Sequence, residues 1–166
     1  MLNNSKVISI EPDKKNFMLL KKNFLNNKNV KLINGAISND TNKKNIFFIG
    51  TTSSSGSIIK NEVRSTTLAM NYTVRSIKFK DLLNESNGYK KILLKFDIEG
   101  SEWLVLNELK EFLKLKKIKS VFGELHKIKV GQQYYKIKND LKSLGFKYVF
   151  QGHWERESKV EFYAYR

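Results

Sequence analysis

Residues 91–102 read KILLKFDIEGSE, and WLVL follows at 103–106. Ile92, Leu93, Leu94 and Phe96 form a short apolar run that gives way abruptly to Asp97, Glu99, Gly100 and Glu102 before the apolar pattern resumes at Trp103. A run of that length bounded by a glycine turn reads as a buried strand, and the renewed apolar spacing reads as a helix. The carboxylates between them then stand at the carboxyl end of a strand, the edge at which open α/β sheets hold their ligands. A second reading stays open, because acids also complement the dipole at the start of a helix, and Glu99 and Glu102 are placed to cap one beginning at Trp103.

Toward the start of the chain, Val7–Ile10 is a β-type run that ends at Glu11-Pro12-Asp13, where the proline suits the first turn of a helix and not the continuation of a ladder. Phe17, Leu20, Phe24 and Leu25 then recur at helical spacing up to a stop at 26–29. Val30–Ile33 is a second strand, and NGAISND at 34–40 reads as a turn cluster. Ile46–Ile49 is another strand, TTSSSGSI at 51–58 a polar loop, and the stretch up to 71 has no clean period, so most of 51–71 reads as surface. Tyr72–Ile77 alternates as an edge strand does, and FKDLLNES at 79–86 reads as one helical turn leading to a turn at Asn87-Gly88.

Toward the other end, apolar residues at 103, 104, 106, 109, 112 and 113 predict a helix packed on a sheet. Ile118–Phe122 is a strand running into Gly123-Glu124-Leu125-His126, and 134–144 is an amphipathic helix closed by Gly145. FKYVFQ and VEFYAY are a terminal pair of strands about a turn region at 152–159. The order β-α-β, a β-rich insertion, then β-α-β-α-β-β predicts a three-layer Rossmann-like α/β fold, with a mostly parallel sheet ending in an antiparallel hairpin. No repeat or compositional break divides residues 1–166, so a single domain is expected.

Composition narrows the functional classes. Of 166 residues, 40% are hydrophobic, enough for one real core. The absence of cysteine excludes a disulfide framework and a thiolate metal site. The first residues lack a signal-peptide pattern and no apolar run approaches the roughly 20 residues of a membrane span, so a cytoplasmic protein without a transmembrane segment is expected. The net charge of +15 favours anionic partners, but lysine is spread along the whole chain and a solvated basic surface is the preferred reading.

Three strand ends carry acids: Glu11, Asp97 with Glu99, and Glu124 with His126. If the strands are parallel neighbours, these groups share one rim. A carboxylate in the position of Glu11 suits the hydroxyls of a ribose, as it also suits an ordinary surface. Asp97 and Glu99 suit the orientation of a cationic or hydroxylic group or the acceptance of its proton. His126 near Glu124 reads as a base oriented by its neighbour, or as one of several groups around a divalent ion; with two histidines in the chain, no closed structural metal site is expected and no metal ligand is assigned.

In this order, VISIEPD, the helix with Asn23, NGAISND, SSSGSI, VRSIKFKDLL, LLKFDIEGSEWLVL and GELH resemble the FkbM family of S-adenosylmethionine-dependent methyltransferases. The resemblance implies the class I methyltransferase fold, with sheet order 3-2-1-4-5-7-6 and strand 7 antiparallel. It also implies methyl transfer to an oxygen, the hydroxyl of a sugar, glycolipid or small metabolite. Carried over residue by residue, it implies that Glu11 holds the cofactor ribose, that Ala36 and Ile37 lie beside the adenine, and that Asp97 and Glu99 lie next to the methionine moiety. Asp97, Glu124 and His126 are the implied catalytic residues.

The family pattern also has a first strand and a glycine-rich loop ahead of the ribose-binding acid, whereas only ten residues precede Glu11 and none is glycine. The expectation is therefore a domain incomplete at its amino end, a fragment of a longer enzyme in preference to a chain completed by a second polypeptide or one that has lost cofactor binding. The competing function is a non-catalytic methyltransferase-like module that offers its basic surface to an anionic partner such as RNA.

Overall fold

Val7, Ile8 and Ile10 make a strand, β1 (Val7–Glu11), that pairs in parallel with β2 (Val30–Asn34), from Val7 opposite Val30 to Glu11 opposite Asn34. The structure is a computed structural model that describes residues 5–40, 44–50, 56–60, 68–126, 133–152 and 159–166. It divides into two compact units, Met1–Ile77 and Lys78–Arg166.

In the first unit, α1 (Lys14–Asn23) connects β1 to β2, and its start is set by Asp13, whose carboxylate accepts the Asn16 N–H at 2.7 Å. The expected apolar stripe forms the helix without being fully buried. A sheet two strands wide cannot cover it, and Phe24 and Leu25 fall past its last turn, exposed. The segment NGAISND is more than a turn. Ala36 and Ile37 form β3, parallel to β6 (Leu68–Ile77), which pairs antiparallel with β4 (Lys44–Gly50); β4 in turn pairs with β5 (Gly56–Ser57). Gly35 permits this approach, because a Cβ there would lie 2.9 Å from the Arg75 carbonyl oxygen. Ala36, Phe47 and Val74 form the core of this sheet, with Ile49, Ile58 and Tyr72 packed around them. Parts of the expected surface loop, 51–55 and 61–67, lie outside the described residues, as does most of the turn region at 152–159.

The second unit is built on one sheet of order β7-β8-β10-β9. β7 (Ile92–Phe96) and β8 (Ile118–His126) are parallel, and β10 (Lys159–Tyr165) runs antiparallel to both β8 and β9 (Lys147–Gln151). That is the expected parallel pair followed by an antiparallel hairpin. α2 (Phe79–Glu85), α3 (Leu106–Leu113) and α4 (Gln133–Ser143) complete it. Leu109, Leu113, Val121, Leu125, Leu141 and Phe162 are almost wholly buried and form the core of this unit. Gly145 ends α4 as its position predicts. Its φ is 77°, its N–H reaches the Lys142 carbonyl, and the Phe146 N–H reaches that of Leu141.

The architecture is therefore mixed α/β. Among the described residues, strands pair within three sheets, and antiparallel pairings outnumber parallel ones because the β4–β6 insertion adds two. No helix among the described residues is long and apolar enough to cross a membrane.

Candidate active site

β7 delivers Phe96 into the core and leaves Asp97 exposed immediately beyond it. The chain then turns through two consecutive left-handed residues, Glu99 at φ 48° and Gly100 at φ 89°. Glycine tolerates this conformation. A glutamate in it costs about 1–2 kcal/mol, a strain characteristic of functional turns. What compensates is Glu102, which has no exposed surface. Its Oε1 accepts the N–H groups of Ile98 and Gly100, each at 3.3 Å, and meets His126 Nδ1 at 3.0 Å.

One carboxylate thus closes the turn that carries it and fixes the imidazole on the neighbouring strand. The next residue reinforces the link, since Trp103 Nε1 donates to the His126 carbonyl at 2.6 Å. The capping alternative is met in part. Residues 101–104 form a short 3-10 helix whose N-cap residue, Gly100, donates its N–H to Glu102, while α3 begins only at Leu106 and the same carboxylate also reaches His126.

Glu124 and His126 sit two residues apart on β8, so their side chains share a face. His126 Nε2 lies 3.2 Å from Glu124 Oε1 and 3.3 Å from Glu99 Oε2. Glu124 Oε1 is also 2.6 Å from the ammonium of Lys159, the residue paired with His126 across β8 and β10. Asp97, Glu99 and His126 each present a ligand atom within 4.8 Å of the others.

Burial alone would lower the His126 pKa, but its contacts with Glu102 and Glu99 outweigh this and push it up to about 9. Burial and the charges of Glu124 and Glu99 raise the Asp97 carboxyl. Four of the residues singled out from the sequence, Asp97, Glu99, Glu124 and His126, are thus brought together in the second unit. Three participants were missed, namely the inward role of Glu102, the indole of Trp103 and the ammonium of Lys159. The one local signal was an acid embedded beside an apolar run at 103–106.

The other expected residues belong to the first unit. Glu11 ends β1 half-buried, its carboxyl raised by that burial, and its Oε1 accepts the Asp13 N–H at 2.8 Å. The Glu11 carbonyl accepts from Asn34 Nδ2 at 2.8 Å and from the Gly35 N–H at 3.2 Å, which locks the ends of β1 and β2 together. Tyr72 joins this corner from β6. Its hydroxyl accepts the Lys14 N–H at 2.7 Å and meets Asp13 Oδ2 at 3.2 Å, and burial together with the neighbouring acids pushes its pKa up to about 12. Ala36 and Ile37 are buried, Ala36 in the core with Phe47 and Val74.

A family model described as the methyltransferase FkbM domain matches residues 1–148. This chain belongs to the FkbM methyltransferase family. The match takes in every candidate residue from Glu11 to His126, so the acidic cluster lies in the FkbM domain itself. The chain is also similar to a solved METTL16 methyltransferase domain, with 16% identity and a TM-score of 0.46 over 96% of this chain and 50% of that one. A delta-N form of the METTL16 methyltransferase domain gives 15% identity and a TM-score of 0.41 over 99% and 63%. The chain thus spans about half to two-thirds of the length of these structures. No curated protein matches it.

Proposed function

We propose that this FkbM-family chain is an S-adenosylmethionine-dependent O-methyltransferase of the three-layer Rossmann-like class, acting on a hydroxyl of a sugar, glycolipid or small metabolite. The observation that carries the reading is the cluster of Asp97, Glu99 and Glu124 around His126 at the carboxyl ends of the parallel strands β7 and β8.

The residues fit the cofactor chemically. A carboxylate has about four lone-pair sites, so Glu11 can hold ribose hydroxyls while keeping the Asp13 N–H. Ala36 and Ile37 are buried, so their part beside the adenine falls to their backbone. Asp97 and Glu99 offer negative charge to the ammonium of the methionine moiety. When bound, the cofactor supplies an electrophilic methyl group.

The protein's remaining task is to align an acceptor oxygen with that methyl and to take its proton. Asp97, exposed at the strand end, orients the acceptor. Glu124 and His126 act as a pair, with the ring held beside Glu124 and the Glu124 carboxylate accepting the proton released by the hydroxyl. The oxygen–carbon bond forms as the sulfur–carbon bond breaks, and the sulfur keeps the electron pair.

Calorimetric titration with S-adenosylhomocysteine tests this reading. Saturable binding to one site is expected. Loss of a charge-assisted pair in Glu11→Ala should weaken it by about 2 kcal/mol, on the order of thirtyfold. No saturable binding, or wild-type affinity in both Glu11→Ala and Asp97→Asn, would overturn it.

A further inference from the structure

His126 is 5% exposed, and its two ring nitrogens have different surroundings. Nδ1 is held by Glu102 Oε1. Nε2 is buried and makes no hydrogen bond of proper geometry, although it faces Glu99 and Glu124 oxygens at 3.3 and 3.2 Å. A buried ring nitrogen pointed at carboxylates, without the alignment a shared proton would impose, is the arrangement left around a metal ion.

We propose that Asp97, Glu99 and His126 Nε2 bind a divalent cation of the Mn²⁺ class, which holds two neighbouring oxygens of the methyl acceptor. Octahedral cations of this kind take ligands at about 2.0–2.3 Å, which sets ligand atoms roughly 3 to 4.5 Å apart. The three candidate atoms, all within 4.8 Å of one another, need shift only by a few tenths of an ångström. One imidazole with two carboxylates suits a cation that accepts oxygen and nitrogen together, as Mn²⁺ does.

Glu102 supplies the support a metal-bound histidine requires. A buried carboxylate on Nδ1 fixes the tautomer and aims Nε2, and the Trp103–His126 carbonyl bond fixes the backbone beneath the ring. The left-handed Glu99 has the same reading, because its strained turn is what brings the Glu99 carboxylate back toward Nε2. Glu124 is the outer member, since its Oε1 is already 2.6 Å from the Lys159 ammonium.

Three protein ligands leave about three positions of an octahedral ion for water or substrate. An acceptor with vicinal hydroxyls, or a hydroxyl beside a carbonyl oxygen, fills two of them, and coordination makes its hydroxyl easier to deprotonate. The cation's role in catalysis rests on the methyltransferase reading above. Its binding does not.

The test is Mn²⁺ titration of chelator-stripped protein, followed by loss of the free-ion electron paramagnetic resonance signal, with S-adenosylhomocysteine titrated into the same samples. One Mn²⁺ per chain is expected, weakened about tenfold or more in Asp97→Asn and in His126→Gln, and unchanged in Glu161→Gln, an acid on β10 paired with Glu124. Asp97 is exposed, so its variant folds even if the His126 variant does not. Wild-type Mn²⁺ affinity in Asp97→Asn, or no uptake by the wild type, overturns the metal site. S-adenosylhomocysteine binding in that second case leaves the methyltransferase reading standing. Mn²⁺ uptake with no S-adenosylhomocysteine binding overturns the enzyme and supports the site.

Discussion

A carboxylate with no surface exposed must find its partners inside the protein, and Glu102 finds three, the Ile98 and Gly100 N–H groups and His126 Nδ1. Removing it strands a buried imidazole and two backbone donors at once. Glu102→Ala should therefore lower stability by about 3–5 kcal/mol in chemical denaturation, whereas Glu102→Gln, which keeps an acceptor oxygen, should lose only about 1–2 kcal/mol. Equal losses in the two variants would mean that the side chain matters for its volume and not for its bonds. The sequence showed Glu102 as an acid near a helix start, and that was as far as spacing could take it. Its inward direction depends on the left-handed pair at Glu99 and Gly100, and a positive φ at a glutamate has no sequence signature. Asp97, Glu124 and His126 were readable because each follows a recognisable apolar run. Lys159 was not, because its contact with Glu124 depends on the register between β8 and β10.

At the level of elements, the site depends on how closely β8 approaches its neighbours. A Cβ added at Gly123 would lie 2.5 Å from Phe162 Cε1 and 2.7 Å from Phe96 Cζ, rings that belong to the strands on either side. Gly123→Ala should cost about 3 kcal/mol, read as a lowered thermal midpoint, because overpacking forces the two rings or the strands apart. An unchanged midpoint would show that the rings yield freely. The glycine before Glu124 was thus a packing requirement within the GELH motif, which sequence alone did not distinguish from a turn. α4 and its glycine stop, β7, and the β9–β10 pair were legible, since each carries a full period of apolar residues or a terminator. β3 and the 3-10 turn at 101–104 were not, because two residues have no periodicity and a single turn resembles the helix that follows. β6 begins at Leu68, ahead of the expected 72, since antiparallel pairing with β4 extends it into a stretch with no period of its own.

For the whole molecule, the order of strands and helices was legible from hydrophobic runs, and the order β7-β8-β10-β9 with its antiparallel strand agrees with what the family resemblance implied for that part of the sheet. The predominance of parallel pairing was not met among the described residues, because sequence patterns locate strands without saying how an insertion pairs. Charge differs between the chain and its site. The protein carries +15 overall, yet Asp97, Glu99, Glu102 and Glu124 gather around one imidazole. Under the proposed function, a locally negative site within a basic protein disfavours a phosphate-rich acceptor and favours a neutral hydroxyl or a cationic group. The most direct test of that claim is transfer of labelled methyl from S-adenosylmethionine to a panel of sugars, glycolipids, vicinal diols and RNA, with the products analysed for the labelled atom. The account predicts label on hydroxyl oxygens of the neutral acceptors, lost in Asp97→Asn. Label confined to RNA bases, or transfer undiminished in Asp97→Asn, would contradict it.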